Sequence, residues 1–158
     1  MSIAATDSEV LQLVSFNLGN EEYAVDILKV KEINRMAEIT SIPNAPFYIE
    51  GVINLRGKVI PVINMRKKFG FDSKKADSQS RIIVVDVCAT IGLIVDSVSE
   101  VLRLPYDTVE PPPPMTGSVG SEYILGIGKL RDRLLILLNI EKILRTEELN
   151  NCLAGAAA

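Results

Sequence analysis

The chain of 158 residues has no histidine, no tryptophan and only two cysteines, Cys88 and Cys152. Without histidine it lacks both the commonest general base and the commonest transition-metal ligand. Two cysteines are too few for a disulfide framework or a zinc site, so both are expected to be reduced thiols. Long apolar runs are missing too: the longest, Leu134 to Leu138, is far too short to cross a bilayer. The opening MSIAATDSEV has neither the basic nor the apolar region of a signal peptide, so a cytoplasmic protein without membrane insertion is expected. A net charge of −3 and a pI near 5.1 argue against nucleic acid as a partner. The glycines Gly117, Gly120, Gly126 and Gly128 make no phosphate loop, since no GK[ST] follows a strand. There is no nucleophile elbow and no S-x-x-K, and the carboxylates are scattered. These absences point away from an enzyme and from a resident cofactor or metal.

What is present centres on Gly51 to Gly70, GVINLRGKVIPVINMRKKFG. Gly51 to Arg56 and Val59 to Ile63 read as two strands, and Arg56-Gly57-Lys58 as their hairpin turn, with Gly57 supplying positive φ. Val52, Asn54 and Arg56 then share one face. Pro61 cannot donate to a ladder, so an edge or a bulge is expected there. Asn64 is placed to cap a short helix that Gly70 ends.

This stretch occurs twice. An offset of 75 sets YIEGVINLRGKVIPVINMRKKF, from Tyr48, against YILGIGKLRDRLLILLNIEKIL, from Tyr123. Tyr48, Ile49, Gly51, Leu55, Arg56, Asn64 and Lys67 meet identical residues at Tyr123, Ile124, Gly126, Leu130, Arg131, Asn139 and Lys142. At an offset of 68, VKEINRM from Val30 echoes VSEVLRL from Val98. Two echoes in the same order mean a duplicated unit of about 70 residues, too long for a solenoid repeat. With 47% apolar residues a core is assured. The fold class is all-β: two similar small barrels with short helices.

Residues 1–9 are expected to be loose, 10–149 to form one domain with intertwined halves near 10–71 and 81–144, and 150–158 to be a frayed tail. Val10 to Leu18 and Glu22 to Ile27 pair across Gly19-Asn20. Asp26 to Lys29 makes one helical turn before a strand from Val30 to Met36, where Val30 and Glu32 share a face. The link FDSKKADSQS leads to strands Arg81 to Val87, Ile91 to Val95 and Val98 to Leu104. A loop from Tyr106 to Ser121 holds the four prolines Pro111 to Pro114, read as a stiff connection rather than a polyproline ligand.

The basic cluster Arg66, Lys67, Lys68, Lys74 and Lys75 reads as a solvated face. Arg56 carries more. Its position recurs as Arg131, and each half has a glutamate on the preceding strand, Glu32 and Glu100. A charge pair repeated in both halves is either a structural pin or an exposed recognition patch.

Together, EEYAVDILKVKEI, YIEGVINLRGKVIPVINMRKKF, VDSVSEVL and EYILGIGKLRDRLLILLNIEKIL resemble the CheW family of chemotaxis coupling proteins, over about Gln12 to Leu149. The resemblance implies a pair of five-stranded SH3-like barrels around a shared core, and an adaptor without enzymatic activity. It implies as partners the cytoplasmic tips of methyl-accepting chemoreceptors and the regulatory domain of the histidine kinase CheA, in arrays at the inner membrane. The receptor-facing groove it implies involves Val30, Glu32, Gly51, Arg56 and Val98. Gly51 and Gly126 would be sites where no side chain is tolerated near a partner or the barrel core. With the second helix expected so near the end, no receiver domain is expected, which argues against the related CheV proteins, and no kinase core, which argues against a piece of CheA other than an excised fragment. The alternatives are an adaptor of another receptor-kinase pathway, for motility or gene expression, and a small enzyme using carboxylates or lysine. With neither histidine nor clustered cysteine, metal analysis of the dialysed protein is expected to find no stoichiometric zinc or iron. One equivalent per chain would contradict this.

Overall fold

The computed structural model describes residues 10–72, 74–86, 89–111 and 123–143. The expectations for residues 1–9, Cys88, Pro112 to Pro114, Cys152 and the tail 150–158 lie outside them.

The chain folds as all-β with few short helices. The first half supplies β1 (Val10–Leu18), β2 (Glu21–Asp26), β3 (Val30–Arg35), β4 (Ile49–Leu55), β5 (Lys58–Asn64) and helix α1 (Met65–Lys68). The second supplies β6 (Arg81–Asp86), β7 (Thr90–Val95), β8 (Ser97–Pro105), β9 (Val109–Glu110), β10 (Ile124–Lys129), β11 (Leu134–Leu138) and helix α2 (Ile140–Ile143). Between β2 and β3, a 3₁₀ turn at Ile27–Lys29 is capped by Asp26, whose Oδ1 accepts from Leu28 N at 2.9 Å. The loop expected after Tyr106 contains a short strand, β9, which pairs with β10.

Two mixed sheets form, with strand orders β8-β1-β2-β11-β10-β9 and β3-β6-β7-β5-β4. Neither is built from one half of the sequence. The hairpin β1–β2 lies between β8 and β11, while its counterpart β6–β7 lies between β3 and β5. The halves 10–71 and 81–144 exchange their first two strands, each lending its first hairpin to the sheet that holds the rest of the other. The exchange is reciprocal, so both sheets keep one topology. Each also has one parallel pairing at an equivalent place, β11 with β2 and β5 with β7. A repeat makes positions equivalent, but it does not say which copy supplies a strand's partner.

The equivalence reaches individual hydrogen bonds. Asn64 and Asn139 each accept through Oδ1 from the backbone N–H three residues on, at 3.2 Å in both halves. Their own N–H groups donate to Tyr48 O at 2.7 Å and Tyr123 O at 2.8 Å. Bulges fall between Ile49 and Gly51 and between Ile124 and Gly126.

Pro61 departs from its expected edge, since β5 lies between β4 and β7. The opposite residue, Val52, spends its N–H and C=O on Thr40, so no donor is required of Pro61 on that side. The parallel ladder with β7 begins only at Val62. An interior strand can thus hold a proline where no ladder bond is due.

Three apolar clusters follow the same symmetry. A large central one joins both sheets around Phe16, Tyr23, Ile63, Phe69, Ile83 and Leu93. A satellite cluster around Ile60, Val62, Leu55 and Met36 is matched by one around Leu135, Leu137, Leu130 and Leu104. These pairs are related by the offsets 75 and 68.

Ion pairs tie each short helix to the other half. Arg66 on α1 donates through Nε and Nη2 to Asp96, at 2.8 and 2.7 Å, in the gap between β7 and β8. Glu141 on α2 meets Lys29 at 3.7 Å, before β3, with the charges reversed. Burial opposes ionisation of Asp96, but hydrogen bonds from Arg66 and Gly19 N, aided by the charges of Arg66 and Lys74, outweigh it and hold its pKa below the usual value. A depressed carboxylate pKa contributes stability above the unfolded value, near about 3.9, that is lost as pH falls through the folded one. Urea titrations are therefore expected to show Asp96→Asn less stable than wild type at neutral pH, by about 2 kcal/mol. That difference should shrink below about pH 4. A difference that does not change with pH would contradict it.

Candidate partner-binding surface

The turn joining β4 to β5 consists of two residues, Arg56 and Gly57, with φ of 55° and 82°. Two successive positive φ values define the hairpin turn that matches the twist of its strands, normally filled by Asn-Gly or Gly-Gly. Asn54 Oδ1 accepts from Gly57 N at 2.9 Å and closes the loop. The sequence assigned positive φ to Gly57 alone. Among the described residues Arg56 shares a positive φ only with Asn44 and four glycines. A left-handed conformation at a residue with a Cβ costs about 1 kcal/mol. The backbone here would favour asparagine or glycine over arginine.

That side chain reaches β3. Arg56 Nη1 lies 2.5 Å from Glu32 Oε2, while the arginine side chain stays 76% exposed and the glutamate 20%. The hydrogen bond from Arg56, with a further one from Asn34 and the charges of Arg56 and Lys31, holds Glu32 below the usual carboxylate range despite some desolvation. One face of the guanidinium is oriented by Glu32, and the rest is open to solvent.

Gly51 makes this approach possible. After β3 the chain crosses to β4, where Thr40 N donates to Val52 O at 2.9 Å and Val52 N to Thr40 O at 2.8 Å. A Cβ on Gly51, at φ 150°, would overlap the Thr40 carbonyl oxygen, with the carbonyl carbon at 2.7 Å. At Gly126 the crossing segment is β9, with Glu110 O at 2.8 Å from such a Cβ. Both repeated glycines admit a neighbouring backbone of their own chain.

Val30 and Val98 occupy equivalent places at the starts of β3 and β8, paired with Val85 and Phe16. Both are half-buried against the central cluster rather than gathered at the Arg56 tip. Glu32 and Arg56 pair directly, Gly51 packs against the Thr40 backbone of the β3–β4 crossing, and the two valines lie on the central cluster.

The second hairpin tip is built differently. Neither Arg131 nor Asp132 has positive φ, and it is Arg133, not Arg131, that reaches Glu100, at 3.3 Å. Arg133 also donates to Glu22 at 2.6 Å and to Asp132 at 3.2 Å. The expected repetition of the charge pair therefore holds for the glutamate but shifts by two residues for the arginine. Without glycine, the turn takes another conformation and aims its first residue elsewhere.

The basic cluster is a solvated face only in part: Lys74 and Lys75 are exposed, while Arg66, Lys67 and Lys68 are half-buried. Arg66 is bound to Asp96, Lys67 lies 2.7 Å from Glu50, and Lys74 lies 3.2 Å from Asp77. Lys68 Nζ sits 4.2 Å above the Tyr48 ring and 5.5 Å from that of its repeat mate Tyr123. The cleft of about 390 Å³ beside α1 is lined by Arg66, Lys67 and Lys74, each already paired, together with the exposed Lys75. Among the described residues no group of three or more His, Cys, Asp or Glu could hold a metal ion, and no helix is long and apolar enough to cross a membrane.

Two sheets of one topology share a core and carry an exposed, oriented arginine at one hairpin tip. Comparison with known proteins makes this specific. The CheW-like domain profile matches residues 12–148. The chain is similar to the chemotaxis protein CheW of Klebsiella aerogenes, 42% identical over 87% of this chain and 84% of that one. Against the chemotaxis protein CheW of Helicobacter pylori the identity is 39%, over 89% and 86%. The crystal structure of the scaffolding protein TtCheW from Thermoanaerobacter tengcongensis superposes with a TM-score of 0.81 at 38% identity, covering 89% of this chain and 91% of that one. The chain belongs to the CheW-like family, whose members named here are chemotaxis and scaffolding proteins, not enzymes.

Because the obstacle at Gly51 is backbone, it cannot rotate away. Gly51→Ala is expected to cost about 3 kcal/mol of stability and to expose the Thr40 and Val52 amides to hydrogen exchange. Unchanged protection there would contradict the crossing's dependence on this glycine.

Proposed function

We propose that this protein is a non-enzymatic chemotaxis adaptor. It joins the cytoplasmic tips of transmembrane chemoreceptors to the histidine kinase CheA, through the kinase's CheW-like regulatory domain. It would act in the cytoplasm, recruited to receptor arrays at the inner membrane. Its mechanism is geometric: holding receptor and kinase in fixed relation lets the receptor's state change kinase activity. The proposed contact residues are Val30, Glu32, Gly51, Arg56 and Val98, with Arg56 the anchor and Gly51 supporting it from within.

The observation that carries this reading is the backbone at Arg56. A mostly exposed guanidinium contributes little to folding, yet it is kept at a position whose φ of 55° disfavours it. Positions held in unfavourable conformations cluster at functional sites. Exposed arginines with part of their donor fork free are common interface anchors, and truncating one costs about 2 kcal/mol of binding, roughly thirtyfold in affinity.

Arg56→Ala and Arg56→His are therefore expected to melt cooperatively, yet to weaken receptor or kinase binding about thirtyfold and abolish receptor control of the kinase. Arg131→Ala should matter less, since Arg133 holds the second tip. Titration with a receptor cytoplasmic fragment and with CheA, beside a coupled kinase assay, makes the check. Normal kinase control by Arg56→Ala would remove the recognition role, and an unfolded variant would return Arg56 to a structural one.

A further inference from the structure

Asp96 is the single residue between β7 and β8. Three elements converge on it. Its carboxylate takes the Nε and Nη2 arms of Arg66 from α1, and its Oδ2 also accepts from Gly19 N, at 2.9 Å, in the β1–β2 turn. Its own N–H donates to Asn17 O at 3.1 Å, at the end of β1. The grip is mostly withdrawn from water, with the Arg66 and Asp96 side chains 17% and 14% exposed. Arg66 is fixed in turn by donating through Nη1 to Asp72 O at 2.8 Å.

What this node holds is the start of β8. Val98 stands two residues on, opposite Phe16, and Glu100 stands opposite Ser15, so a bulge leaves Ser99 without a partner in the ladder. Bulges re-aim the side chains around them. Asn17 Nδ2 clamps this one, donating to Ser97 Oγ at 3.0 Å and Ser99 Oγ at 2.8 Å. The equivalent place in the first half is held only by the longer and more exposed Lys29–Glu141 pair, at 3.7 Å: at the offset of 68, Asp96 corresponds to Leu28, which is 86% exposed on its 3₁₀ turn. The duplication supplies the strand and an ion pair at its start, and the two-pronged, mostly buried grip on a carboxylate belongs to the second half.

We propose that Asp96 is a positioning residue of the partner-binding surface, fixing the start of β8, and with it Val98, against α1 and the β1–β2 turn. The inference rests on the reading above that Val98 belongs to that surface. Arg66 and Asn17 are its working parts, one holding the carboxylate and the other the bulge. A purely stabilising pair would act equally on every contact of the surface; a positioning pair acts through Val98.

The test is a double-mutant cycle with a receptor cytoplasmic fragment titrated against wild type, Asp96→Asn, Val98→Ala and the double variant, with hydrogen exchange of β8 measured alongside. Asp96→Asn is expected to fold, to exchange faster over Ser97 to Glu100 than wild type while β10 and β11 stay unchanged, and to bind about tenfold more weakly. In the double variant it should add nothing to the loss from Val98→Ala. Arg66→Lys, which keeps the charge and gives up the fork, should show the same non-additivity and serves if Asp96→Asn melts early. Full additivity, or wild-type affinity in Asp96→Asn and Arg66→Lys, overturns the positioning role. Wild-type affinity in both Val98→Ala and Arg56→Ala instead overturns the reading of the surface, and this inference with it.

Discussion

Everything in this fold depends on each half's first hairpin finding its ladder in the other half. β1 leaves its outer edge to β8, and β6 leaves its own to β3. Buried backbone N–H and C=O groups must be paired, so neither half could keep these strands buried by itself. The exchange makes one unit of two repeats and gives them a common core. It also explains the cross-half ion pairs, Arg66 with Asp96 and Lys29 with Glu141, because each short helix packs where the other half's second strand turns into its third.

On that symmetric frame the two hairpin tips have diverged through their turn chemistry. Gly57 permits a turn with two positive φ values, and that turn carries Arg56 back toward Glu32 while leaving most of it exposed. Asp132 stands where Gly57 would, the turn changes, and the charge is drawn inward as Arg133 between Glu22 and Glu100. One tip thus leaves most of a guanidinium exposed, and the other engages Arg133 with its own carboxylates. The asymmetry follows from a single position in the turn.

How much of this was legible in the sequence depended on range. The duplication, the hairpins, the Asn64 cap and the Glu32–Arg56 pairing were readable because identity, period and turn residues are local signals. Which strands the halves exchange was not, since equivalence between copies leaves open whose strand pairs with whose. The Arg66–Asp96 grip joins residues thirty apart with no shared motif, so Arg66 looked like one of several solvated cations. Pro61 looked like an edge residue because the crossing that satisfies Val52 comes from Thr40, well upstream. The shift from Arg131 to Arg133 turns on a backbone conformation that an identical arginine conceals.

The central claim is that Arg56 is kept for what it offers a partner, against the preference of its own backbone. The most direct measurement replaces it with the residue that backbone prefers. Arg56→Gly removes the side chain and relieves the positive φ together, so its urea midpoint should match or exceed wild type, with a gain of up to about 1 kcal/mol. In the same preparation, receptor control of kinase activity should be lost. A glycine variant that couples receptor and kinase normally would contradict the account, as would one that loses coupling only because it is less stable.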